Sequence, residues 1–290
     1  MIKQVYLVKF IIIVVLILYL YLFSAKIVES FNTKKTIVFI ISGNSRTSPF
    51  SHNPLEGYSD KILESYNEFV FTKELKQEYN FRVYISCDDI DIQKAKDYFG
   101  ENLANVHSLD SDFYLNNIVN KKRRVEDYFI HYNNKDWNFF RKYDNSIHQH
   151  YKIMDSYNLF LNDNIKCDYI VRMRMDIKIN TNIIHLLNQL NNNRKILILM
   201  DWDLFALGRP DIMHVYCTGL DNKYGHYEYN TSVTETPPVM SDYHTVDKKV
   251  WTYSPERQLF EMIYEYCNKN NYVINDSIKS IPQTSSIMRK

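Results

Sequence analysis

Two short runs, Thr36–Ile41 (TIVFII) and Lys195–Met200 (KILILM), most constrain the fold. A strand facing one core alternates apolar and polar residues; a continuous apolar run is buried on both faces, as in a parallel sheet covered by helices. The segments between them fit that reading. Tyr58–Tyr79 carries Ile62, Tyr66, Phe69, Leu75 and Tyr79 on one helical face, and Phe81–Ser86 (FRVYIS) reads as a second strand, which makes a βαβ unit. Trp137, Phe140, Tyr143, Ile147, Tyr151, Met154, Tyr157 and Leu161 recur every three or four residues and predict one long amphipathic helix. The expected class is α/β, a mostly parallel sheet flanked by helices.

Between the two runs lies Cys167–Ile179 (CDYIVRMRMDIKI), where Tyr169, Val171, Met173 and Met175 alternate with Ile170, Arg172, Arg174 and Asp176. This is a strand whose two faces meet different surroundings, and it delivers Asp176 to its C-terminal end. In open α/β sheets ligands gather beyond those ends, so a carboxylate there beside Arg172 and Arg174 suits a cation and a phosphate. Three further strand ends carry polar residues. The first run stops at Ser42-Gly43-Asn44-Ser45-Arg46, where Gly43 lets the backbone approach a ligand and Arg46 offers a contact to a phosphate. The second ends at Cys87-Asp88-Asp89, whose carboxylates either contact a ribose or base, with Asp89 the candidate, or cap the helix starting near Ile92. KILILM ends at Asp201-Trp202-Asp203. Clustered aspartates at buried strand ends call for a cation or for positive partners, among which Arg172, Arg174 and Arg209 are available.

Asp211–Val250 is irregular and rich in Tyr, Thr and Pro, and reads as a functional loop walling an acceptor pocket. Ser254-Pro255-Glu256 opens a helix running to Cys267, with Glu256 in its first turn. Asn270–Ile274 reads as a last short strand and the tail to Lys290 as loosely held.

Val5–Ala25 is apolar apart from Lys9. About 20 such residues span a hydrocarbon core of roughly 30 Å, and the run exceeds the h-region of a cleaved signal, with Phe23 poorly placed for cleavage before Ala25. The expectation is a signal anchor and short stem over residues 1–30, and a single catalytic-sized domain over 31–290. Lysines flank both ends, so the type II orientation is assumed. A net charge of +1 supplies no footprint for nucleic acid. The cysteines Cys87, Cys167, Cys217 and Cys267 are too far apart for a zinc knuckle or redox pair.

The ordered set of S-G-N-x-R, the long aromatic helix, D-Y-I-V-R-M-R-M-D, M-D-W-D-L-F-A-L-G-R-P-D-I-M and S-P-E resembles the WavE-like lipopolysaccharide-synthesis glycosyltransferases and related sugar transferases. The resemblance covers most of residues 36–275. It implies a GT-A-like fold that uses a nucleotide-sugar donor and a glycan, lipid-linked or protein acceptor, often with Mn²⁺ or Mg²⁺ held by an aspartate after a central strand. The stretch around Met175 lacks the second aspartate of a D-x-D motif. On this reading Asp176 makes the metal or donor contact, and Arg172 or Arg174 the diphosphate contact or support for the aspartate. Asp203 makes a second donor or acceptor contact, and Glu256 is the base if transfer inverts. The competing class is a membrane-anchored carbohydrate-binding or structural protein that keeps the sheet without catalysis.

Overall fold

The computed structural model describes residues 15, 34–43, 48–109, 137–201, 203–225, 255–281 and 284–287, parts of three helices by their backbone alone. Val5–Ala25, expected as an anchor, lies outside the described residues apart from Val15, as do Arg46, Trp202, residues 226–254 and the side chain of Glu256. Among the described residues no helix is long and apolar enough to cross a membrane.

Thr36–Lys290 forms one compact unit. Its strands are β1 (Lys35–Gly43), β2 (Tyr79–Asp88), β3 (Leu103–Leu109), β4 (Tyr169–Arg174), β5 (Ile177–Ile179), β6 (Ile198–Asp201), β7 (Phe205–Gly208), β8 (Ile278–Ser280) and β9 (Ser285–Ile287). Seven of them form a sheet in the order β3-β2-β1-β4-β7-β6-β8, and β5 pairs separately with β9. β1 and β4, β2 and β3, and β6 and β8 are parallel pairs; β7 runs antiparallel to both its neighbours. The strand order reverses between β1 and β4: the chain leaves β1 for β2 and β3 on one side, and leaves β4 for β6 and β7 on the other. Beyond the carboxyl ends of such a pair the connections diverge and a crevice opens.

The alternation read in Cys167–Ile179 sorts its residues onto two cores. Tyr169, Val171 and Met173 join Ile37, Phe39 and Ile41 under α1 (Ser59–Ser65), α2 (Lys73–Glu78), α3 (Ile92–Phe99) and α5 (Ile183–Asn192). Ile170 joins Val38, Ile40 and Tyr84 beneath α4 (Trp137–Asp163), α6 (Pro210–Gly225) and α7 (Pro255–Lys269). Arg172 and Arg174, two and four positions beyond Ile170, therefore belong to the second face.

Several expectations change. The Tyr58–Tyr79 helix is broken: α1 passes into a π-helical turn at Tyr66–Val70, and α2 restarts where the Thr72 hydroxyl accepts the Leu75 N–H. Asp91, rather than Asp88 or Asp89, caps α3 by accepting the N–H groups of Gln93 and Lys94. The buried stripe of α4 runs through Lys152, Ile153, Ser156, Tyr157 and Phe160, while Leu161 is 44% exposed. The irregular reading from Asp211 is corrected by α6, which buries Ile212, Met213, Tyr216 and Cys217 after Pro210 presets its first turn. Asn270–Ile274 is not a strand; a short helix, α8 (Ile274–Ser277), leads into β8. Within the tail, read as loosely held, Ser285–Ile287 is fixed: β9 pairs with β5, and Ser285 donates from both its N–H and its hydroxyl to Asp201.

Candidate functional site

Asp176 lies just past β4 in a two-residue turn, Met175-Asp176, before the chain continues into β5. The turn is held from two directions: the Met175 N–H donates to the Ser42 carbonyl of β1 at 3.0 Å, and the Tyr66 hydroxyl donates to the Arg174 carbonyl at 3.1 Å. Gly43 stands against it with φ +147°; a Cβ there would come within 3.3 Å of Met175 N and 3.6 Å of an Asp176 carboxylate oxygen. Glycine is thus favoured both by its backbone conformation and by the close approach of the Met175 backbone nitrogen.

The Asp176 side chain meets Arg174 as a fork. Arg174 Nε donates to Oδ1 at 2.8 Å and Nη2 to Oδ2 at 2.6 Å. Its third nitrogen, Nη1, donates to Gln149 Oε1 at 2.9 Å and lies 3.8 Å from Asp203 Oδ2. Gln149 closes the ring by donating to Asp203 Oδ2 at 2.5 Å. The Arg174 guanidinium therefore sits between two carboxylates, with an amide from α4 setting its plane. Burial pushes the Tyr66 phenol well above its ordinary range, and the neighbouring Asp176 carboxylate pushes it further. This hydroxyl stays a proton donor under the turn.

Arg172 differs. It is 0% exposed, and none of its Nε, Nη1 and Nη2 atoms has a hydrogen-bond partner among the described residues. The other buried side-chain polar atoms without a partner there are Ser42 Oγ and Asp88 Oδ1. Ser42 lies opposite Arg174 in the β1–β4 register, and Asp88 ends β2 on the same face, four residues after Tyr84. Every orphaned buried polar side chain among the described residues thus lies on one face of three adjacent strands, β2, β1 and β4, toward their carboxyl ends.

A third charged group borders this edge. Lys152, 5% exposed, donates to Asp88 Oδ2 in a short ion pair, and Asp155 Oδ2 is shared by the Ser86 hydroxyl at 2.6 Å and His107 Nδ1 at 2.8 Å. Burial pushes the Cys87 thiol up to about 12, against the pull of Lys152.

Of the sequence-predicted site residues, Gly43, Arg174, Asp176 and Asp203 come together, with Arg172 on the same face. Asp89 follows β2 in a left-handed conformation, φ 48°, with its carboxylate 3.5 Å from the Ser51 hydroxyl. Asp201 faces away and anchors Ser285, and Arg209 donates to the Leu190 and Ile196 carbonyls rather than to an aspartate. Sequence reasoning missed Gln149, and passed over Asp88. The signal was present in α4, where Gln149, Lys152 and Asp155 recur every third residue beside the apolar stripe.

The expected metal role of Asp176 meets a carboxylate whose two oxygens are both occupied by Arg174. Among the described residues no group of three His, Cys, Asp or Glu side chains converges to hold a metal ion. The donor set does not fit a divalent cation, which seeks about six oxygens including open carboxylates.

No protein-family model matches the chain, and no curated protein matches it. Among solved structures it is similar to a Desulfovibrio desulfuricans G20 protein assigned to the nucleotide-diphospho-sugar transferases, at TM-score 0.37 and 10% identity, covering 86% of this chain and 80% of that one. It is also similar to the glycosyltransferase GlyE of Streptococcus pneumoniae TIGR4, at TM-score 0.36 and 11% identity, over 86% of this chain but 45% of GlyE. Mouse xyloside xylosyltransferase 1 follows at TM-score 0.27 and 13% identity, over 82% of this chain and 76% of that one. The likeness is partial at these TM-scores, and the chemistry of the site rests on its own residues.

Proposed function

We propose that the chain is a glycosyltransferase of the GT-A type, WavE-like in its motifs, that moves a sugar from a nucleotide-sugar donor to a glycan, lipid-linked or protein acceptor. Val5–Ala25 would anchor it in a membrane in the type II orientation. The observation that carries this reading is the coincidence of the orphaned polar atoms with the β1/β4 reversal: among the described residues the Arg172 guanidinium, Ser42 Oγ and Asp88 Oδ1 lack partners where the sheet opens its crevice. A phosphorylated ligand supplies the acceptors that the Arg172 guanidinium lacks among the described residues, and Gly43 lets it approach the backbone.

In the transfer the bond from the anomeric carbon to the diphosphate oxygen breaks, the acceptor oxygen bonds to that carbon, and the nucleoside diphosphate leaves. Charge accumulates on the leaving diphosphate, where Arg174, fixed by Asp176 and Gln149, stabilises it without reorganising. The acceptor proton passes to a carboxylate. Asp203, beside Arg174, and Glu256, on α7, are the candidates, and Asp203→Asn and Glu256→Gln separate them. Asp89 after β2 and Arg46 after β1 are the remaining donor contacts in this reading.

The test is release of radiolabelled sugar from a panel of UDP-, GDP-, CDP- and ADP-sugars by the full-length protein in detergent. One donor class is expected to be hydrolysed or transferred, with a loss of about 100-fold or more in Asp176→Ala. Full activity in that variant removes the site assignment; glycan binding without turnover of any donor favours the non-catalytic class.

A further inference from the structure

Granting the nucleotide-sugar reading, we infer that the leaving diphosphate is held by fixed protein cations and that donor binding requires no divalent metal. Asp176, the carboxylate placed to hold a metal, has both oxygens engaged, and Asp203 and Asp88 each have one engaged, leaving Asp88 Oδ1 open among the described residues. Asp176 gives both oxygens to Arg174, Asp203 Oδ2 accepts from Gln149 and lies 3.8 Å from Arg174, and Asp88 Oδ2 is paired with Lys152. A cation bridging Asp176 and Asp203 would have to displace the Arg174 guanidinium that lies between them.

Arg172 adds a second, independent argument. It lies on the same face as Arg174 two strand positions earlier, about 7 Å along β4, wholly buried and without an acceptor among the described residues. A buried cation without a hydrogen-bond acceptor among the described residues disfavours a divalent metal beside it and favours an anion, and burial strengthens both effects. Tyr216, packed on this face, registers that field: burial raises its phenol, while Arg172 is the largest influence pulling it down. The positive charge that a metal would bring to a diphosphate is therefore built into β4, in the sequence R-M-R-M-D.

The experiment is calorimetric titration of UDP, GDP, CDP and ADP into the full-length protein in detergent, once in EDTA and once in excess MnCl₂, with Mn²⁺ binding followed by electron paramagnetic resonance. One diphosphate is expected to bind with a Kd differing by less than about threefold between the two conditions, outside the roughly 5–150-fold range of coupled ligands. Arg174→Gln is expected to lose at least about tenfold in that affinity. Because the EDTA and MnCl₂ comparison uses the wild-type chain, it decides even if the variant fails to fold. Binding seen only with MnCl₂, or stoichiometric Mn²⁺ in the bound complex, overturns the inference and leaves the nucleotide-sugar reading standing. Binding of no diphosphate in either condition overturns that reading, and the inference with it.

Discussion

Replacing Arg172 by methionine is expected to stabilise the fold while weakening nucleotide binding. In the free protein the guanidinium is completely buried, and its three nitrogens find no acceptor among the described residues. Each unfilled buried donor costs about 1–3 kcal/mol, part of it recovered by water. Along β4 the residue stands opposite Ile40 of β1 and Ala206 of β7, so its stem already lies among apolar neighbours that a thioether can fill. Substituting well-packed apolar side chains for buried charge gains about 1–4 kcal/mol, and ~2 kcal/mol in a domain of this size raises the midpoint by roughly 4–8 °C. The assay is urea unfolding at unchanged m-value, in phosphate-free buffer so that no bound anion masks the penalty. An Arg172→Met variant that unfolds at lower urea than wild type would refute the reasoning, since the charge would then have a stabilising partner in solution. A variant that is more stable and still binds nucleoside diphosphate at wild-type affinity would keep the energetics and remove the functional role.

Other consequences can be measured the same way. A Cβ at Gly208 would lie 2.9 Å from the Leu197 carbonyl oxygen and 3.0 Å from the Met213 side chain, so Gly208→Ala is expected to cost about 1–3 kcal/mol in urea unfolding. Tyr66→Phe removes the hydroxyl bond to the Arg174 carbonyl and should cost about 1 kcal/mol, with a larger fractional loss of turnover than of stability. Asp201→Ala frees both donors of Ser285 and should lower stability by about 2 kcal/mol or more; an unchanged urea midpoint would show that the tail is held by other means. Stability should fall in alkali. Burial pushes the Cys87 and Cys167 thiols up to about 12 and raises the phenols of Tyr66, Tyr84, Tyr98 and Tyr157. The unfolded chain therefore loses these protons first: their contribution is intact below the unfolded values of about 8.5 and 10 and drains away as pH rises through the folded ones. A urea midpoint that stays flat from neutral pH to pH 11 would contradict this.

What could be read in the chain followed from local periodicity. The alternation in Tyr169–Asp176 placed Arg172 and Arg174 on one face because a strand has only two faces. The residue that organises the site, Gln149, was hidden because nothing in its own neighbourhood reports what α4 packs against; only the tertiary packing of that helix gives its amide two partners, Arg174 and Asp203. The helix breaks were missed for a similar reason. Tyr66–Val70 keeps the apolar spacing of a helix, and its π turn coincides with a tertiary contact invisible in that spacing, the Tyr66 hydroxyl under the Met175-Asp176 turn. Asp201 and Asp203, two residues apart, both close the β6 run in the sequence, and only Asp203 carries an expected site role. The tight β6–β7 turn separates them, one toward Ser285 and the other toward Arg174.

The β5–β9 pair has a consequence during synthesis. β5 follows Asp176 directly, whereas its partner Ser285–Ile287 emerges roughly a hundred residues later, about 5–20 s at ordinary elongation rates. Over that interval β5 is an unpaired edge and the buried carboxylate of Asp201 lacks the two Ser285 donors it holds in the finished fold. The wall behind the site is therefore among the last parts of the domain to close, and the nascent chain exposes there an edge that chaperones, or a second nascent chain, can pair.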